Sequence, residues 1–427
     1  MVRQSILHNG IRVVTEHLPG YHSVAIGLWV MFGSRHELAE ERGVSHLLEH
    51  MLFKGTERRS AADIASEIDA VGGSLNAFTA REFSCFHARV LNEDLPLAVD
   101  LLTDMFCHPR FDEDELRKEQ GVVLQEIARL QDTPEDYIHE LFSRTLWGYH
   151  PLGCSSSGEP DVLAGVTGDR LRTYMAEHFI GSRLLVCAAG DVEHDDLVEL
   201  IGSKLADLSE GSPIVNEAPP AATRRLDVTE RASDHVHLCL GVRAVSQDDP
   251  DRFTQYMLDT ILGASMSSRL FQAIRERHGL AYSIYSYPTC YADAGAEVVY
   301  CGCASSHLQA AAEVILEQFR QLVDNEVSED EVSHAYHQIR GKLLLSLENI
   351  SNRMSRLAKG MIYLGKPPII DEVLEKFAAV DSGQLRQFAA RIFADDRLNL
   401  HLLGSPPPEG LDFDRIRIHN QAGGRAS

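Results

Sequence analysis

At 427 residues the chain exceeds what one ordinary core accommodates, and two domains are the natural expectation. A composition of 44% hydrophobic and 24% charged residues describes a folded protein, and a formal net charge of −23 argues against a nucleic-acid-binding surface. No apolar run approaches the ~20 residues of a membrane helix, which argues against a membrane partner. The start, MVRQSILHNGIRVVTEHLPG, lacks the apolar h-region and cleavage site of a secretory signal, so a cytoplasmic location is expected. Eight scattered cysteines without a CxxC are expected to be reduced and buried, and Cys301-Gly-Cys303 alone is a weak metal or redox signal. The acidic balance is first of all that of a solvated surface; a negative cavity that prefers basic peptides is the sharper alternative, and composition does not separate them.

In chain order, the first residues read as a strand, a turn at Asn9-Gly10 and a second strand from Ile11 to Glu16. VAIGLWV (24–30) is a strand, followed by a helix carrying His46. Next come the helix AADIASEIDAVGG, the strands within SLNAFTAREFSCFHARV, the amphipathic helix LPLAVDLLTDMFCHPRF and the long helix FDEDELRKEQGVVLQEI. The second half repeats this order: strand VHLCLGV (236–242), helix FTQYMLDTILG, helix SSRLFQAIRERHG, strands within LAYSIYSYPTCYADAGAEVVYCGC, and helices LQAAAEVILEQFRQLV and VSEDEVSHAYHQIRGKL. Between the halves, SEGSPIVNEAPPAATRR has three prolines and little apolar periodicity, as a linker does. The expected architecture is α+β: a domain at 1–208, a linker at 209–225 and a homologous domain at 226–427. Each would be an antiparallel-rich mixed sheet with helices packed mainly on one face. The tail from Ser405 is expected to be peripheral.

The duplication isolates the chemistry. Aligning Val24 with Val236, an offset of 212, sets Leu258 and Leu262 opposite His46 and His50. Aligning Phe111 with Val327, an offset of 216, sets Lys342 opposite Glu126. The second copy keeps the scaffold and drops the polar cluster.

That cluster begins with His46-Leu-Leu-Glu49-His50. On a helix, positions i and i+4 share a face, so both imidazoles can reach one ion. Glu49, beside His50, can act on a water at that ion without ligating it. This is the reverse of the HExxH order and a known zinc protease signature. A catalytic zinc needs a third protein ligand and leaves a fourth position open. Glu119 and Glu126 lie seven apart on one face of the long helix. Glu126 follows the apolar run Val122-Val123-Leu124, while Glu113, Asp114 and Glu115 occupy an exposed helix start. Taken alone, Glu126 is either the third ligand or a surface carboxylate paired with arginines.

HxxEH followed after 75 intervening residues by a glutamate in an E-x6-E helix resembles the pitrilysin/insulinase metallopeptidases. The likeness is closest to the short-chain branch containing the mitochondrial processing peptidase beta subunit and bacterial processing peptidases. LHNGIRVV, GVSHLLEHMLFKGT, GGSLNAFTARE, EQGVVLQEI and SSRLFQAIRERHGLAYSIYS carry it along nearly the whole chain. The resemblance implies one zinc per chain held by His46, His50 and Glu126, with Glu49 as general base and Glu119 orienting a histidine from outside the ligand set. It implies an edge strand at GGSLNAFTARE, on which Asn76, Ala77 and Phe78 bind an extended peptide through backbone bonds. It also implies that Arg275 and Tyr282 contact the substrate carbonyl. His87, His108, His139, His150 and His178 match no motif and are read as structural.

The implied function is zinc-dependent endopeptidase action on extended or presequence-like peptides inside a closed chamber. Such chambers take four of these domains, and this chain has two. Because it holds both the zinc set and the Arg/Tyr pair, a homodimer with sites completed in trans is expected. Two alternatives stand beside this: a non-catalytic peptide-binding or chamber partner subunit, whose usual mark is a lost ligand, and a zinc hydrolase acting on a non-peptide substrate.

Overall fold

The structure, a computed structural model, describes residues 1–406 and 410–419. The chain divides into two compact units. The first comprises Met1–Arg129, Cys154–Glu217 and Leu344–Pro368; the second comprises Leu130–Gly153, Ala218–Leu343 and the chain from Ile369 onward.

The first unit is built on a six-stranded sheet: β1 (Val2–Ile6), β2 (Arg12–His17), β3 (Ser23–Val30), β4 (Ser74–Thr79), β5 (Ser84–Leu91) and β6 (Leu184–Gly190), in the order β1-β2-β6-β3-β5-β4. Among these strands β2 and β6 pair in parallel and the other neighbours antiparallel. One face carries Ile26, Leu28, Phe86 and Ala88 into a core shared with α1 (Val44–Leu52), α2 (Ala61–Ala70) and α3 (Leu95–Cys107). The opposite face, with Ala25, Trp29 and Cys85, is covered by the helix Ile350–Leu364 through Ile350, Met354, Leu357 and Ala358. β4 ends the sheet order and is hydrogen-bonded on one side, by β5, which leaves its other edge for an added strand.

The second unit repeats the plan with β7 (Arg225–Glu230), β8 (His235–Ala244), β9 (Ala281–Cys290), β10 (Gly295–Ala304) and β11 (Asn399–Gly404), ordered β7-β11-β8-β10-β9. Val236, Leu238 and Leu240 face Met257, Leu258 and Leu262 of the helix Arg252–Leu262. Both leucines aligned with His46 and His50 are fully buried.

The contiguous division expected from the sequence differs from this at two helices. α5 (Pro134–Trp147), in the first half of the chain, covers the second sheet by packing Ile138, Phe142 and Leu146 against Cys239, Val298 and Tyr300. The helix Ile350–Leu364, from the second half, covers the first sheet. Both sheets are apolar on both faces and both need a second cover, but periodicity does not say which half supplies it. The first part of the linker is tied to the first unit: Gly181 N–H donates to the Ser209 carbonyl (2.7 Å), and Arg35 donates to the Glu217 carbonyl (2.8 Å). The described part of the tail corrects its expected peripheral place, since Leu411, Ile416 and Ile418 enter the second core; residues 407–409 and 420–427 lie outside the described residues. SSRLFQAIRERHG is helical as expected, but Phe271–Arg277 winds as a π-helix. No helix among the described residues is long and apolar enough to cross a membrane.

Candidate metal centre

α1 is amphipathic in a simple way. Val44, Leu47, Leu48, Met51 and Leu52 are buried in the first core, so His46, Glu49 and His50 share the opposite side. Its start is built without a capping side chain. Gly43 stands at the N-cap with φ 95°, and a Cβ there would lie 2.6 Å from the Cα of Gly158. The cap comes instead from Glu37, whose carboxylate accepts from Gly43 N–H (2.8 Å) and Ser45 N–H (2.7 Å). Burial pushes this carboxyl up to about 7, against those bonds.

The long helix α4 (Glu113–Asp132) presents Leu116, Glu119, Val123 and Ile127 to the interior, with Glu126 one position off that row. This register brings Glu126 Oε2 to 3.7 Å from His46 Nε2 and 3.6 Å from His50 Nε2. One donor atom from each of His46, His50 and Glu126 lies within 4.8 Å of the other two. Two imidazole nitrogens and a carboxylate oxygen form a donor set suited to zinc, and one too small to close a tetrahedron by itself.

The surroundings fix the ligand chemistry. His50 Nδ1 meets Glu119 Oε2 at 3.1 Å, so a proton on Nδ1 leaves the Nε2 lone pair facing the cluster. Glu119 is buried, and its other oxygen takes Lys54 Nζ at 2.8 Å. Burial lowers the His46 pKa from the usual imidazole value, with the His50 imidazole acting in the same direction and Glu126 against it. Its Nδ1 is buried beside the Ser157 backbone without a bond inside hydrogen-bonding geometry. Glu119→Gln keeps the shape and removes the charge. It is expected to weaken zinc affinity about 10- to 100-fold, measured by competition with a calibrated chelator.

Glu49 stands beside these three donor side chains and outside their set. Thr79 Oγ1 donates to its Oε2 at 2.6 Å. Burial raises the Glu49 carboxyl above its ordinary range, and the Thr79 bond opposes this. On β4, side chains alternate: Leu75 and Ala77 pack toward the core on the α1 side, while Phe78 turns to the other face and meets Trp29 edge-on at 5.7 Å. Asn76 shares the Phe78 face and is exposed, its Oδ1 accepting from Ala77 N–H at 2.8 Å. Of the three expected substrate contacts, only Ala77 therefore turns its side chain toward the metal helix. Their common resource is the open backbone edge.

Arg275 and Tyr282 lie in the second unit and come together there. Arg275 Nη1 donates to the Tyr282 carbonyl (3.1 Å), and its guanidinium stands 5.0 Å from the centroids of both Phe271 and Tyr282. Ser283 pairs with Gly302 and Ala281 with Cys303, so Tyr282 is the extra residue of a bulge in β9. The bulge leaves Tyr282 83% exposed.

Glu37, Lys54 and Thr79 are contributors the sequence reading missed. A glycine N-cap with no polar side chain was the signal for Glu37, since those amides must find another acceptor. A hydroxyl ending the otherwise apolar row Leu75–Ala77–Thr79 was the signal for Thr79. A second group, Glu41, Glu177 and His178, also brings donor atoms within 4.8 Å of one another. Arg170 already supplies the positive charge there, bonded to Glu41 and 3.9 Å from Glu177.

Residues 12–159 match the sequence model of Insulinase (Peptidase family M16), and residues 165–339 match that of the Peptidase M16 inactive domain. An uncharacterized zinc protease of Bacillus subtilis is 39% identical over 93% of this chain and 97% of its own length. One from Streptomyces coelicolor is 37% identical over 94% of this chain and 89% of its own. Among solved structures, a peptidase M16 inactive domain from Pseudomonas fluorescens superposes with a TM-score of 0.88 at 18% identity, covering 95% of this chain and 100% of its own. A protease from Helicobacter pylori gives 0.86 at 20%, covering 95% and 99%. These two matches support the fold, and the sequence matches carry the assignment: the chain belongs to the insulinase family of peptidases, M16.

Proposed function

We propose that the protein is a zinc-dependent endopeptidase that cleaves extended peptides, with one zinc per chain. The observation that carries this reading is the convergence of His46, His50 and Glu126 beside a half-buried Glu49 outside that set, which is hydrogen-bonded to Thr79 of the edge strand β4. His46, His50 and Glu126 would hold the zinc, which would supply an acidified water and Lewis acidity at the site. The protein's own groups do the rest. β4 takes the peptide as an added strand through the backbone of Asn76, Ala77 and Phe78. Glu49 accepts the proton of the attacking water and returns it to the leaving amine. His50 keeps its tautomer through Glu119. Arg275 and Tyr282 donate to the developing oxyanion, and in this reading they come from a second copy of the chain in a two-fold dimer.

A fluorogenic extended peptide, assayed with and without a zinc chelator, tests the proposal. Cleavage that is lost on chelation and restored by zinc is the expected result. A zinc-loaded protein that cleaves nothing would make it a peptide-binding chamber partner, and cleavage indifferent to chelation would remove zinc from the reaction.

A further inference from the structure

We infer that Thr79 is a positioning residue for Glu49, coupling the strand that receives the substrate to the general base; this rests on the proposed peptidase reading. An ionised carboxylate can only accept hydrogen bonds, so at 2.6 Å the Thr79 hydroxyl is the donor and Glu49 Oε2 the acceptor. With Oε2 held, Oε1 is the oxygen left to take a proton. The bond is compatible with both halves of the cycle, because a proton gained on Oε1 leaves Oε2 still accepting from Thr79.

The hydroxyl itself is anchored at a fixed place. Ser84 Oγ, on β5 and buried, lies 3.5 Å from Thr79 Oγ1 and 3.4 Å from the Phe32 carbonyl, and its one proton is shared between these two acceptors. The turn that follows Thr79 is pinned to the segment preceding α1. Ser34 N–H donates to the Ala80 carbonyl (3.3 Å), Arg35 N–H donates to the Arg81 carbonyl (2.7 Å), and Arg35 Nη1 pairs with Glu82 Oε1 at 2.6 Å in the buried interior. At Gly33 a Cβ would lie 2.3 Å from the Ala80 oxygen, so this approach is closed to any side chain. Two residues beyond that pair, Glu37 caps α1. One short segment thus sets the end of β4 and the start of the metal helix, and Thr79–Glu49 joins the two a second time, at the reacting end.

The consequence concerns turnover rather than binding. Thr79 faces α1 and not the open edge of β4, so removing its hydroxyl leaves peptide docking intact and frees the base to take unproductive rotamers. Thr79→Val, which keeps the shape, is expected to lower kcat about 10- to 100-fold, the worth of one hydrogen bond to a charged group. KM is expected to hold within about two-fold and zinc content to match wild type, since neither docking nor the ligand set is touched. Thr79→Ser, which restores the hydroxyl, is expected to recover most of kcat. A high-resolution structure of zinc-loaded Thr79→Val should show Glu49 in more than one orientation, against a single one in wild type. This last readout stands even if wild type cleaves no peptide, in which case the peptidase reading fails and the positioning role is judged by itself. A wild-type kcat in Thr79→Val, a rise in KM in place of a fall in kcat, a Thr79→Ser as impaired as the valine, or an unchanged single orientation of Glu49 would each overturn the inference.

Discussion

Glu49→Gln is expected to keep its zinc and lose peptide hydrolysis. The amide matches the carboxylate in shape, and its oxygen can still accept from Thr79, whose hydroxyl holds Oε2 at 2.6 Å in the native protein. What it cannot do is take a proton. Among the described residues Glu49 is hydrogen-bonded to Thr79 and to none of His46, His50 and Glu126, so its replacement leaves those three donors in place. General-base contributions run from about 10²- to 10⁴-fold, and kcat should fall in that range or below detection. Metal analysis and kcat on the same preparation check this together. Retention of substantial activity with full zinc would take the base role away from Glu49.

Mixing two inactive variants should restore activity if the proposed dimer completes its sites in trans. Glu49→Gln disables the base in the first unit, and Arg275→Ala removes the guanidinium that stacks on Tyr282 in the second. In a mixed dimer, one site draws both lesions and the other draws neither. Random exchange makes half of all dimers mixed, so roughly a quarter of sites are wholly wild type by two-fold symmetry. Activity should rise from near zero to about that fraction as subunits exchange. If each chain completed its own site, every site would carry one lesion and mixing would recover nothing. Exchange proven by differently tagged chains, without recovery, would rule out the shared site.

Much of the candidate metal centre's geometry was legible because its signals are local. The His46/His50 spacing and the apolar counterface of α1 need only nine residues, and the Glu119/Glu126 interval needs two turns of one helix. The alternation of β4 was equally readable. The contacts that finish the site are not local. Thr79 meets Glu49 across 30 residues and Glu119 meets His50 across 69; the second of these came from family resemblance and the first from neither source. Glu37 was hidden because its cap works from outside the helix it serves. The exchange of covering helices between the halves was not legible, since an amphipathic stripe such as Ile138–Phe142–Leu146 states that it must be buried, not against what. The π-helix at Phe271–Arg277 escaped for a similar reason: the apolar period that marks a helix does not resolve its pitch over seven residues.

X-ray absorption at the zinc edge, on protein loaded with one equivalent of zinc, addresses the central claim most directly. The account predicts a shell of nitrogen and oxygen neighbours with the scattering signature of two imidazoles and no sulfur, lost when His46 or His50 is replaced by alanine. A sulfur shell, or a spectrum unchanged in both variants, would place the metal elsewhere and contradict it.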